Sequence, residues 1–66
     1  MRISYDPVAD AATIQFLEDA GPQHSLMCDL EVDQGAVIAI LNSDDQLVGI
    51  EVLGARKLLP PELLSP

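Results

Sequence analysis

The sequence predicts a mainly β or α+β fold, an antiparallel meander of four to five strands with a short C-terminal helical tail. Two observations lead to this prediction. Apolar and polar residues alternate over several short segments, which is typical of strands with one buried face. Gly, Pro, Asn and Asp separate these segments, and these residues favour turns. With 66 residues, we expect one small domain over residues 1–66, whose modest burial makes a lone monomer marginally stable.

The first strand is predicted over residues 2–5, where two apolar side chains alternate with polar ones. Asp6 and Pro7 end it, because proline fixes its own φ and aspartate can accept a hydrogen bond from the backbone ahead. We assign Asp10 to the same turn. Asp6 and Asp10 are also a candidate carboxylate pair for acid–base chemistry, but the turn and capping preferences of aspartate favour the structural role.

The second strand is predicted over residues 11–17. An alanine-rich helix beginning near Val8 is the alternative, and the β-branched and aromatic residues of Thr13–Phe16 favour the strand. The next segment, residues 18–25, contains Gly21-Pro22 and is predicted to be a loop.

The third strand is predicted over residues 26–32, where alternation is strongest in the chain. We expect its apolar side chains to point inward: Leu26, Cys28, Leu30 and Val32. We expect the others to point outward: Met27, Asp29 and Glu31. A tight turn follows, in which Gly35 can adopt a positive φ.

The fourth strand, over residues 36–42, is apolar on both faces and is predicted to be central and covered on both sides. A turn rich in Asn and Asp separates it from the fifth strand, over residues 47–53. The tail is predicted over residues 55–65 as one or two helical turns that Pro60 interrupts.

Three motifs occur in order along the chain: Tyr5-Asp6-Pro7 with Asp10-Ala11, a turn with Gly35 before a hydrophobic strand, and Val48-Gly49-Ile50-Glu51-Val52-Leu53. Over about residues 1–58 they resemble a bacterial family of small proteins, domain-of-unknown-function family 2283. The resemblance implies an antiparallel β fold with a short C-terminal helix and no established activity. For some members it also implies genes beside those of small toxin-like proteins. The chain departs from the family at Thr13, where an aromatic residue is common, and in its more apolar strand at 36–41.

The charge distribution limits the partners that we expect. The net charge is −8, and residues 1–55 hold ten acids and only one base, Arg2. Such a surface disfavours direct binding to nucleic acid or anionic membranes. No apolar run approaches the length of a membrane helix. The charge is sufficiently explained by solubility. The functional alternative is a basic protein partner, for which the candidate face is Asp29, Glu31 and Asp33.

The sequence offers no pattern for catalysis, a cofactor or a metal, so we expect no enzyme and no cofactor. Its one imidazole, His24, adjoins Ser25 without an orienting motif. The acidic stretch from Asp29 is not a calcium loop, because Gln34 stands where glycine is needed and Ile40 where glutamate is needed. The single cysteine is expected to be a small buried hydrophobe.

We therefore expect a non-enzymatic protein-interaction module that self-associates as a dimer or higher oligomer. Binding of a basic partner, as an antitoxin-like protein would do, is its second expected role. One tail cannot cover both faces of a doubly apolar strand, so the expected interface residues are Ile38, Ile40, Leu58, Leu59, Leu63 and Leu64. The alternative is a domain that binds a small ligand or divalent metal through Asp6, Asp10 or residues 29–33. The N-terminal residues hold no secretory signal, so the expected compartment is cytoplasmic.

Overall fold

The computed structural model describes residues 1–28 and 35–64, and it confirms the predicted fold class. These residues form one five-stranded antiparallel sheet followed by a single-turn helix and a 3-10 turn. The elements are β1 (Arg2–Asp6), β2 (Ala11–Gln15), β3 (Gln23–Cys28), β4 (Ala36–Asn42), β5 (Leu47–Leu53), α1 (Ala55–Leu58) and the 3-10 turn Pro61–Leu63.

The strand order is β1-β2-β5-β4-β3, which corrects the simple meander. In a meander β3 would lie beside β2, whereas here β5 lies between β2 and β4 and is the central strand. In keeping with this central position, β5 has more buried residues than any other strand. Strand β4 is interior as well, but all seven of its residues are only half-buried. Within the single chain both of its faces are therefore only partly covered.

The start of β3 also differs from the prediction. Residues 23–25 belong to this strand rather than to a loop, because six consecutive residues of β3 pair with β4. Leu26 was expected to point into the core, but 59% of it is exposed, because β3 is an edge strand. Six residues of the predicted third strand and its turn lie outside the described residues: Asp29, Leu30, Glu31, Val32, Asp33 and Gln34. Strand β2 is shorter than predicted and ends at Gln15.

Two glycines stand where a side chain would collide with the backbone. At Gly49 an added Cβ would lie 2.8 Å from the carbonyl oxygen of Ile14 on the neighbouring strand. At Gly35 it would collide with the carbonyl oxygen of Leu53 and lie 2.6 Å from Cδ1 of Leu58. A positive φ was predicted for Gly35. This angle depends on the position of residue 34, which is outside the described residues, so the prediction is not tested.

The core lies on one face of the sheet, under the C-terminal tail. Strand register places one residue of each strand in a row across this face, which we call the covered row: Tyr5, Ala12, Val52, Val37 and Cys28. The buried cluster is formed by Ala12 and Val52 of this row and by Ala55 of α1, and Leu58, Leu59 and Leu64 pack against it. Among the described residues no large side chain is fully buried, so the core is thin.

Candidate functional site

The turn between β1 and β2 is held by the side chain of Asp6. Its Oδ1 accepts hydrogen bonds from the backbone amides of Val8, at 3.0 Å, and Ala9, at 3.4 Å. This is the local bonding by which aspartate favours turns. Pro7 follows inside the turn, and its carbonyl oxygen accepts a hydrogen bond from Nη2 of Arg56 at 3.1 Å.

Asp10 joins this turn to the C-terminal tail. Its backbone carbonyl accepts hydrogen bonds from the amides of Gly54 and Ala55, both at 3.0 Å. Its Oδ1 accepts a third bond, from the amide of Arg56 at 3.1 Å. The first amides of a helix lack partners within the helix, and Gly54, the N-cap of α1, has no side chain to satisfy them. Asp10 supplies the cap from 46 residues away in the sequence.

The same carboxylate accepts a hydrogen bond of 2.8 Å from the hydroxyl of Tyr5. Desolvation and this bond raise the pKa of the Tyr5 hydroxyl above its usual value. The two carboxylates thus have separate partners. Asp6 accepts hydrogen bonds from the amides of Val8 and Ala9, whereas Asp10 accepts them from the Arg56 amide and the Tyr5 hydroxyl. The described residues contain no group of three side chains suited to hold a metal ion. This geometry favours a structural role for both aspartates over the acid–base and metal-binding alternatives.

A shallow open pocket of about 330 Å³ lies beside this network, lined by Tyr5, Arg56, Pro61 and Leu64. Its two polar side chains already have partners within the protein: the Tyr5 hydroxyl donates to Asp10 and the Arg56 guanidinium to Pro7. A ligand pocket typically has polar groups that converge on the ligand. The arrangement here is better explained as the junction between the tail and the sheet.

His24 forms a contact that the sequence did not indicate. Its Nε2 lies 3.1 Å from Oδ1 of Asp45, in the turn between β4 and β5, and both side chains are exposed. Ser25, the adjacent residue of β3, points to the opposite face of the sheet because neighbours in a strand alternate. The two therefore do not form a nucleophile and base. Sequence reasoning missed the contact because it placed His24 in a loop.

A second row of residues lies beside the covered row on the same face, and we call it the open row: Ile3, Ile14, Ile50, Ala39 and Leu26. None of the five is buried, and Ile3 and Leu26 are 40% and 59% exposed. Of these residues, only Ile50 packs against the buried cluster. The tail therefore packs over one apolar row, while the adjacent row is only partly buried and is exposed at its two ends, Ile3 and Leu26.

The residues predicted to form an oligomer interface fall into two groups. Three tail leucines contact the core within the chain, at positions 58, 59 and 64, and Leu63 is exposed. Ile38 and Ile40 lie on the face opposite the tail and are half-buried. The predicted basic-partner face, at positions 29, 31 and 33, is outside the described residues. The open row was not singled out, because register between distant strands is needed to assemble it.

These features define a small mostly β domain with a short helical tail and a partly covered apolar face. The chain belongs to the family described as protein of unknown function (DUF2283), whose model matches residues 2–56. The match confirms the resemblance and includes Asp10, Gly35 and Gly49. Searches of curated proteins and of solved structures gave no match. In the part of the chain that the structure describes, no helix is long and apolar enough to cross a membrane.

Proposed function

We propose that this protein is a non-enzymatic protein-interaction module that self-associates. The supporting observation is its accessible surface, which is 4748 Å² for a chain of 7.1 kDa. A compact monomer of this mass exposes about 4,100 Å². The chain therefore exposes roughly 650 Å² more than a compact monomer, which is close to the roughly 800 Å² that each partner buries in a standard protein interface.

The thin core supports the same proposal. The buried hydrophobic residues are two alanines and two valines: Ala12, Val48, Val52 and Ala55. Side chains of this size contribute less burial energy than leucine or phenylalanine, and small domains are marginally stable even with larger ones. A second molecule would add apolar burial that this chain lacks by itself, and would stabilise the folded state by mass action.

Sedimentation equilibrium at micromolar concentration tests this proposal. We expect a mass of at least twice 7.1 kDa, together with a melting temperature that falls on dilution because association stabilises the folded state. A single species of 7.1 kDa, with a melting temperature that does not change with concentration, would contradict self-association.

A basic protein partner is a second candidate, supported by the net charge of −8. A cationic surface would be attracted to this chain, and its binding would weaken as salt increases. The triple substitution D29N/E31Q/D33N tests the three acidic residues that the sequence singles out. Co-purification with a basic protein should be lost in this variant and kept in D44N/D45N, which removes two charges from the turn between β4 and β5. Equal loss in both variants would contradict a specific role of Asp29, Glu31 and Asp33.

A further inference from the structure

We infer that a second copy of this chain covers the open row, so that the two sheets pack face to face. The inference rests on the proposed self-association and assigns it a surface. The covered row shows how the adjacent positions behave under a second layer, because Ala12 is fully buried and Val52 is 3% exposed beneath the tail. The open row is equally apolar and spans all five strands, but none of its residues is buried, and its two end residues, Ile3 and Leu26, are exposed.

The dimensions of the open row suit a sheet-to-sheet contact. Five strands at about 4.8 Å spacing make the row about 19 Å wide. Packed sheets lie about 10 Å apart, with side chains from both layers between them. The surplus accessible surface of roughly 650 Å² is close to one partner's share of a standard interface. The width of the row therefore suits a sheet-to-sheet contact, and the whole chain has surface enough in excess of a compact monomer for such a contact.

The charge distribution favours a second copy on this face rather than the other one. Neither the open row nor the covered row contains Asp, Glu, Lys or Arg. On the opposite face, Glu51 is paired with Thr13 and Ile38, and the outer strand β1 adds Arg2 and Asp6. Two copies with a net charge of −8 repel each other, and buried like charges are costly. An interface free of carboxylates avoids this cost.

The position of the tail determines how two copies meet. The tail packs over the covered row, at one end of the face, and leaves the open row beside it. A two-fold axis running along the open row would bring the two open rows together and place the two tails at opposite ends of the contact. Such an interface is closed, because each copy uses the same patch. It would end in a dimer rather than a growing chain.

Two adjacent residues of β3 provide a matched test. Leu26 lies in the open row and is 59% exposed, while Met27 points to the opposite face and is 63% exposed. Both are on the same edge strand, so strand-to-strand pairing through β3 would be disturbed by a change at either residue. Face-to-face packing would be disturbed by a change at Leu26 but not by a change at Met27.

The experiment compares L26E and M27E with the unmodified chain by sedimentation velocity over a range of concentrations. We expect L26E to weaken dimerisation by at least roughly tenfold, because a carboxylate would be buried against apolar side chains. We expect M27E to change the dissociation constant by less than about threefold. Circular dichroism confirms that each variant is folded, and if L26E does not fold, the pair I3E and S4E on β1 repeats the test at the other end of the row.

Each other outcome overturns the inference. Equal weakening by L26E and M27E indicates pairing through the β3 edge, and weakening by M27E alone indicates the opposite face. A dimer that both variants leave intact indicates another surface, such as the tail leucines. If the unmodified chain is a monomer, self-association itself is wrong. The last result is distinguishable from the others because it needs no variant.

Discussion

At the scale of single residues, Asp10 is the position that joins the turn between β1 and β2 to the C-terminal tail. Its φ is 52°, a left-handed conformation that aspartate tolerates better than most residues. That conformation allows one residue to present both its carbonyl and its carboxylate to the first amides of the tail. The tail in turn covers the core, so this contact links a local turn to the packing of the whole sheet.

Replacing Asp10 tests this role. Asp10→Ala removes the acceptor of the Tyr5 and Arg56 bonds, and we expect a loss of about 1–2 kcal/mol in unfolding free energy, as for other lost helix caps. Asp10→Asn keeps an oxygen acceptor and tolerates the left-handed conformation, so it should cost clearly less. Urea unfolding of both variants measures the difference. Equal losses would contradict the capping role of the side chain.

Tyr5 gives a second readout of the same contact, because it is the only tyrosine of the chain. Its hydroxyl has a raised pKa, so the folded state holds the proton more tightly than the unfolded state does. The stabilisation of the folded state by this protonated hydroxyl is fully present below the usual tyrosine pKa of about 10, and it is lost as the pH rises further. Absorbance titration should give a higher midpoint for the folded protein than for the protein in denaturant.

At the scale of elements, the central position of β5 depends on close contact with β2. Gly49 lies opposite Gln15 on β2 and Ile40 on β4. An added Cβ would lie 2.8 Å from the Ile14 carbonyl oxygen. That oxygen belongs to the backbone and cannot move without moving the strand. Glycine is therefore required at position 49, where β5 closely approaches β2.

The substitution Gly49→Ala tests this requirement by the sign of its effect. Alanine in place of glycine in a strand ordinarily stabilises by about 0.5–1 kcal/mol. Here we expect destabilisation of about 1–3 kcal/mol, as for overpacked positions. Ser4→Ala, at an exposed position of β1 on the same face, should change stability by less than about 0.5 kcal/mol. Thermal unfolding gives both values, and a more stable Gly49→Ala variant would contradict the close approach.

Local patterns in the sequence were sufficient to predict most strands, but not their order. The alternation in residues 47–53 and the turn before it predicted β5 with the bounds that the structure shows. Its place between β2 and β4 depends on pairing between segments more than 30 residues apart, such as Ala12 with Val52. No local pattern reports that pairing. The polar start of β3, at Gln23 and His24, was missed because hydrogen bonding to β4 sustains a strand there without apolar side chains.

The candidate site was predictable only in part, for the same reason. The turn role of Asp6 follows from its position before Pro7. The bond from the Arg56 amide to Asp10 does not follow from any local pattern, because it joins residues 46 positions apart. The open row likewise could not be predicted from the sequence, because its members come from five separate strands. The doubly apolar fourth strand led to the prediction that the chain needs more cover than one tail supplies, and that prediction stands untested.

At the scale of the whole molecule, the protein is a sheet with less than one full layer of cover. Its dimensions are 31 × 28 × 17 Å, which describe a flat body. The tail covers one row of one face, and the buried cluster of Ala12, Val52 and Ala55 forms where the tail meets this row. A flat sheet with a small core gains most from a partner that adds a second layer over the open row, which contains no charged side chain. The flat shape therefore supports the self-association that we propose, as the composition does.

The most direct test is an isotope-filtered NMR experiment on a mixture of isoleucine-methyl-labelled and unlabelled protein, which detects contacts between molecules. The five isoleucines divide between the two faces: Ile3, Ile14 and Ile50 are in the open row, and Ile38 and Ile40 are on the opposite face. Packing of two open rows predicts intermolecular signals from the first three and none from the other two. Signals from Ile38 and Ile40 alone, or from no isoleucine, would contradict it.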